Sequence, residues 1–246
     1  MLKKILVISL IVVSSLALLA GAAAGWFFYQ LRDMKTLAHS RLCERICALQ
    51  GSSSNLYLLK TPNGYIAFDA SDNPQKIAAG CAALNIDPAQ VHTVFLTHSD
   101  ADHVNGLPAF PGATVYLSRD ELPLLSSSKH RHFLGMGHQN TLPVATYKTV
   151  ADKESLTVDG IVVRAMATPG HTLGSMCFLV DSALFTGDLC MVKDGAIEPM
   201  LSIFTEDRAQ DSASIRDIAQ YRSIKTLYTA HSGILQLNET VLDSWR

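Results

Sequence analysis

Thr97-His98-Ser99-Asp100-Ala101-Asp102-His103 places two imidazoles and two carboxylates within six residues, directly behind the apolar run Val94-Phe95-Leu96. Such a cluster builds a poor core, because each buried polar group without a partner costs several kcal/mol. It is well suited to hold a hard or borderline divalent cation, which takes imidazole nitrogen and carboxylate oxygen. The stretch therefore predicts a strand over Val91–Leu96 that runs out into a metal-binding turn, and metal-assisted hydrolysis as the chemistry.

Three further segments share that form. Thr168-Pro169-Gly170-His171-Thr172 follows a strand ending near Ala167, and Thr186-Gly187-Asp188 follows Ala183-Leu184-Phe185. Thr229-Ala230-His231-Ser232-Gly233 follows Thr226-Leu227-Tyr228. Strand-end loops are where rigid scaffolds hold reactive groups, and glycine or proline permits the tight backbone. Elsewhere, Asn55–Leu59 and Tyr65–Phe68 read as strands about the turn Thr61-Pro62-Asn63-Gly64. Asp72 is expected to cap a helix with Pro74 in its first turn and Ile77, Cys81 and Leu84 on one face. Strands are expected at 114–117, 161–166 and 176–180, a helix from Arg119 to about Leu125, and an amphipathic helix through Ile215 and Ile218. This order of elements implies sheets covered by helices.

With these residues in place, the chain resembles the metallo-β-lactamase superfamily over roughly residues 50–235. That family's pattern is Thr-His-x-His-x-Asp-His, then Gly-His, Gly-Asp and a final His; here Thr97 to His103, Gly170-His171, Gly187-Asp188 and His231 follow it in order. The resemblance implies an α/β fold, an αββα four-layer sandwich. It also implies two divalent metal ions. His98, Asp100 and His171 would hold one, Asp102, His103 and His231 the second, and Asp188 would bridge them. A metal-bound hydroxide would attack a small ester-like substrate (a lactone, thioester, β-lactam or phosphoester). Asp102 would position that hydroxide and pass a proton to the leaving group. Two other readings stand beside this one: a mononuclear iron oxygenase of the same fold acting on a persulfide, and a non-catalytic metal-binding protein.

Asp100 departs from the family's usual histidine. A carboxylate oxygen and an imidazole Nδ1 both lie three bonds from Cα, so either reaches a metal from a similar backbone. Asp100 is read either as a ligand or as a carboxylate that orients a histidine from behind. As a ligand it lowers the charge of the centre by one, and oxygen-rich ligation shifts preference from zinc toward iron or manganese. A location outside the cell pulls back toward zinc, which is the favoured cation.

The N-terminus is read separately. From Ile5 to Tyr29 the chain is apolar except for Ser9, Ser14 and Ser15, and it closes on Trp26-Phe27-Phe28-Tyr29. These 25 residues span a hydrocarbon core of about 30 Å as helix, and the aromatic cluster suits a membrane–water boundary. An uncleaved signal-anchor over residues 1–30 is expected, then a tether over 31–45 and a catalytic domain over 46–246. A cleaved signal peptide is the alternative, with small residues at Ala20-Gly21-Ala22 or Ala22-Ala23-Ala24. Lys3 and Lys4 ahead of the apolar run favour a single-pass protein with its domain on the periplasmic or extracellular side.

The net charge of −2, with no basic run beyond the first residues, argues against a nucleic-acid partner. A small-molecule substrate is expected. Five cysteines without a CxxC pair give no disulfide framework; Cys43 and Cys47 are expected as two small buried thiols, and Cys190 as buried beside a strand. His130, His132 and His138 lie in the polar stretch Ser126–Asn140, read as a flap facing substrate or as an exposed loop. Asp69 is read as a turn carboxylate, and Thr97 and Thr172 as residues that bond the local backbone and shape the ligand loops.

Overall fold

The central strands are apolar on both faces, and this lays the protein out in layers. The structure, a computed structural model, describes residues 2–133, 136–238 and 241–245. The chain divides into two units, Met1–Met34 and Lys35–Arg246. The first is one helix, α1 (Leu2–Leu31), whose span Lys4–Leu31 is long and apolar enough to cross a membrane.

The second unit opens with β1 (Ser40–Arg41), β2 (Ile46–Gln50), β3 (Asn55–Thr61) and β4 (Gly64–Phe68). Then α2 (Pro74–Ala83) leads to β5 (Val91–Phe95), and α3 (Ala101–Val104) to β6 (Thr114–Ser118). After α4 (Leu122–Leu125) comes a hairpin of β7 (Arg131–Phe133) and β8 (Met136–His138), then β9 (Lys148–Val150). The second half holds β10 (Ser155–Val158), β11 (Ile161–Ala167), β12 (Met176–Val180) and β13 (Ala183–Gly187). It continues with the hairpin β14 (Cys190–Lys193) and β15 (Ala196–Pro199), α5 (Arg208–Ala219), β16 (Thr226–Thr229) and β17 (Gly233–Gln236).

One sheet has the order β1-β2-β3-β4-β5-β6-β9, the other β10-β11-β12-β13-β16-β17. The first is antiparallel from β1 to β4 and parallel from β4 to β9. In the second, β13 and β16 pair in parallel and the remaining neighbours are antiparallel.

Side chains alternate across a strand with period two, so a strand covered on both sides reads as a continuous apolar run. In β3, Leu56 and Leu58 join the cluster beneath α2, whereas Tyr57 and Leu59 face the other sheet. In β12, Phe178 and Val180 face the inter-sheet core and Cys177 and Leu179 the cluster beneath α5. Phe68 of β4 stacks on Phe185 of β13 at 3.7 Å between ring centroids, joining the two sheets at their middle. The layers are helices, sheet, sheet, helix: the expected αββα sandwich.

Several local expectations shift. Asn73, not Asp72, caps α2, accepting from the Lys76 N–H at 3.0 Å; Asp72 instead accepts from the Ser52 N–H at 2.8 Å. The stretch expected as tether carries ordered pairing, since β1 pairs with β2 and the Leu37 N–H donates to Asn55 at 2.8 Å. Cys43 is exposed and Cys47 buried in β2; all five cysteines are free thiols.

Candidate metal centre

Parallel strands put their carboxyl ends on one edge, and ligand loops gather there. β4 leads directly into Asp69, β5 through Leu96 into Thr97 and His98, β13 through Gly187 into Asp188, and β16 into Ala230 and His231. The loop after β11 adds His171, and α3 carries Asp102 and His103. Gly187 has φ +51°, and a Cβ there would lie 2.3 Å from Thr97 Oγ1. Only glycine lets the two ligand loops approach so closely.

All seven expected residues converge. His98, Asp100 and His171 form one group whose ligand atoms lie within 4.8 Å of one another, and Asp102, His103 and His231 form a second. Asp188 lies between them. Its Oδ1 is 3.2 Å from His103 Nε2 and 3.1 Å from His231 Nε2, and its Oδ2 is 3.4 Å from His171 Nε2. Two donors about 2.0–2.1 Å from one tetrahedral ion lie about 3.3 Å apart, so these spacings suit shared cations. Among the described residues, His98 Nε2, His103 Nε2 and Asp188 Oδ1 are buried without a hydrogen-bond partner. Buried polar atoms gathered this closely need a proton or a cation among them.

The histidine rings are held from behind. His103 Nδ1 donates to Asp69 Oδ2 at 2.9 Å and His231 Nδ1 to the Ser53 carbonyl at 2.8 Å, which leaves each Nε2 lone pair facing the centre. Asp69 also accepts the Thr97 N–H at 2.7 Å and the Thr97 hydroxyl, and that hydroxyl lies 3.0 Å from His98 Nδ1. Asp69 is therefore the carboxylate that orients His103, and Thr97 bonds this distant carboxylate, not the local backbone expected of it. Asp69 adopts φ +62°, in the left-handed region that aspartate visits more readily than most residues.

Glu121 is a second organiser that sequence reading missed. Fully buried, it accepts from the Ser99 N–H at 3.0 Å and from the Ser99 hydroxyl, and from the Thr172 hydroxyl and the Gly174 N–H. It thus clamps the loop after β5 to the loop after β11, and Thr172 too bonds side chains. Its one sequence signal is a carboxylate beside the apolar face of Leu122-Pro123-Leu124-Leu125. Of the polar stretch Ser126–Asn140, His130, His132 and His138 are exposed. Among its described residues, Arg131 and Asn140 reach the centre. Arg131 Nε donates to Asp100 Oδ2 at 3.0 Å, and Asn140 Nδ2 to Asp100 Oδ1 at 2.9 Å.

Electrostatics follow from this crowding. Burial, with His103 and His171 beside it, holds the His98 pKa well below the ordinary value. Burial also acts to lower His103, but Asp188, Asp69 and Asp102 outweigh it and hold its pKa well above the ordinary value. His231 is raised in the same way, chiefly by Asp188. Burial acts to raise Asp188 and Asp100, yet the surrounding histidines, and Arg131 for Asp100, hold both carboxyls well below their usual range. The centre keeps ionised carboxylates and a neutral His98, while His103 and His231 hold protons that a cation would displace.

Comparison with known proteins agrees with this geometry. The chain is 31% identical over 143 residues to an atrochrysone carboxyl ACP thioesterase of Aspergillus fumigatus, covering 57% of this chain and 30% of that protein. It is 33% identical over 123 residues to a probable polyketide biosynthesis zinc-dependent hydrolase, BaeB, of Bacillus velezensis, covering 50% of this chain and 48% of that protein. The chain thus spans at most about half the length of these relatives. The solved structure of MEM-A1, a subclass B3 metallo-beta-lactamase from a soil metagenome library, superposes with a TM-score of 0.62 at 21% identity, covering 81% of each chain. At that identity it speaks to the fold alone. The family model described as metallo-beta-lactamase superfamily matches residues 49–231, and the chain belongs to that superfamily.

Proposed function

We propose that this protein is a membrane-anchored, metal-dependent hydrolase of a small ester-like substrate, thioesters and lactones foremost. The carrying observation is the meeting of His98, Asp100, Asp102, His103, His171, Asp188 and His231 around three buried atoms, His98 Nε2, His103 Nε2 and Asp188 Oδ1, that lack a hydrogen-bond partner among the described residues. The donor set, four imidazoles and three carboxylates, suits two divalent ions, zinc before iron or manganese. Such ions, when bound, acidify a water and polarise the scissile carbonyl or phosphoryl group.

The chain's own residues supply the rest. Asp69 and the Ser53 carbonyl fix the tautomers of His103 and His231, so that their Nε2 atoms stay available. Asp102 is one-third exposed, at 33%, against 6% for Asp188. It is the carboxylate that solvent reaches most readily, placed to orient the attacking water and to carry a proton toward the leaving group. α1 is proposed as the single-pass anchor over residues 1–30; the stretch 31–45 expected as tether is ordered from Lys35 onward with the catalytic unit, and that unit is proposed on the periplasmic or extracellular side.

The test is metal analysis of the purified full chain, followed by a panel of thioesters, lactones, β-lactams and phosphodiesters with and without chelator. Chelator-sensitive turnover of at least one class is expected. Folded protein that holds no divalent metal refutes the proposal; bound iron with oxygen uptake on a persulfide and no hydrolysis would replace it by the oxygenase reading.

A further inference from the structure

Arg131 heads β7 in a hairpin outside both large sheets, yet its side chain is 4% exposed. Its Nε donates to both oxygens of Asp100, at 3.1 and 3.0 Å. Its Nη2 donates to the Phe204 carbonyl and lies 3.2 Å from His171 Nε2. Nη1 lies 3.6 Å from Glu206 and, among the described residues, has no hydrogen-bond partner. A guanidinium keeps its charge even when buried and matches a carboxylate with its fork of donors.

The guanidinium nitrogens thus stand 3.0 Å from Asp100 and 3.2 Å from His171, much the spacing these ligand atoms keep from one another: Asp100 Oδ2 is 3.2 Å from His171 Nε2. Arg131 therefore competes for the same lone pairs that a cation would use. Among the described residues, no such cation attends the other half of the centre. Among the described residues, the ion pairs of Asp102 and Asp188 are all with histidines.

We propose that Arg131 makes the two cation positions unequal. It holds Asp100 as its own counter-ion, so the position at Asp102, His103 and His231 fills first and the one at His98, Asp100 and His171 fills last and weakly. Arg131 acts through Asp100, as a positioning residue and a fixed charge beside that second position. Like charges brought together in a partly desolvated site repel strongly. The inference rests on the metal-centre reading above.

The test uses the full chain in detergent, stripped with chelator and titrated with zinc against a competing chelator, bound metal being counted by mass spectrometry. In the wild type, the first equivalent is expected to bind at least about tenfold more tightly than the second. In Arg131→Met the second equivalent should tighten by about tenfold or more while the first stays within about twofold. Asn140→Ala, which removes a neutral donor from Asp100 and leaves the charge, should keep the wild-type separation. Cadmium-113 NMR of unmodified protein at one equivalent, which needs no variant, should give one resonance. Two equivalents of equal affinity in the wild type, two resonances at one equivalent, or an unchanged second step in folded Arg131→Met would each overturn the inference and leave the metal centre intact. No binding to any form would refute both.

Discussion

Asp69→Asn separates the charge and acceptor role of Asp69 from its shape. The two side chains are nearly isosteric, and asparagine tolerates the left-handed backbone at φ +62°. Asp69 takes three donors: the Thr97 N–H at 2.7 Å, the Thr97 hydroxyl, and His103 Nδ1 at 2.9 Å. An amide has one acceptor oxygen, and the backbone N–H of Thr97 cannot turn away, so that oxygen faces Thr97 and the NH2 faces His103. His103 must then give up its Nδ1 proton and carry it on Nε2, the atom that faces Asp188 at 3.2 Å. The exchange removes one hydrogen bond to a charged group, about 1.5–3 kcal/mol, and at about 1.4 kcal/mol per factor of ten it weakens cation binding by about 10–150-fold. Chelator competition with zinc measures this directly, with thermal melting of the stripped protein as the fold control. Binding within about twofold of wild type, in a variant that melts normally, would show that His103 is not oriented by Asp69.

Two other perturbations read neighbouring features. Gly187→Ala should cost at least about 1–3 kcal/mol through its backbone alone, and more because its Cβ would meet Thr97 Oγ1 at 2.3 Å; urea unfolding with unchanged stability would contradict this. The raised pKa values of His103 and His231 mean that metal-free protein holds protons there. Their stabilising contribution is complete below the ordinary histidine pKa and fades as pH rises through the raised values, while cations bind only the deprotonated rings. The gain in melting temperature on adding zinc should therefore grow from about pH 6 to about pH 8, and a gain that shrinks over that interval would reverse the assignment.

The seven residues of the candidate centre were legible because they are written locally. His98, Asp100, Asp102 and His103 share one turn, and His171, Asp188 and His231 each follow a strand with glycine nearby. Their supports were not. Asp69 meets Thr97 across 28 residues, Glu121 meets Thr172 across 51, and Arg131 meets Asp100 across 31. No short pattern encodes a single polar residue whose partner is fixed by sheet order. Strands buried on both faces announced themselves as apolar runs, whereas β14, β15 and the β7–β8 hairpin are short and mixed in character. Asn73 took the cap from Asp72 because Asp72 was drawn to the backbone of Ser52, a contact that only the folded loop creates.

The stacked rings of Phe68 and Phe185 have a consequence at the rim. Phe68 is followed by Asp69, which sits behind His103, and Phe185 lies three residues ahead of Asp188, so an apolar rivet sets the spacing between the loops that the two sheets contribute to the centre. The hairpin that carries Arg131 belongs to neither large sheet. What sits over the centre is thus carried separately from the rivet, and a change in the β7–β8 hairpin would leave the register of the seven residues in place.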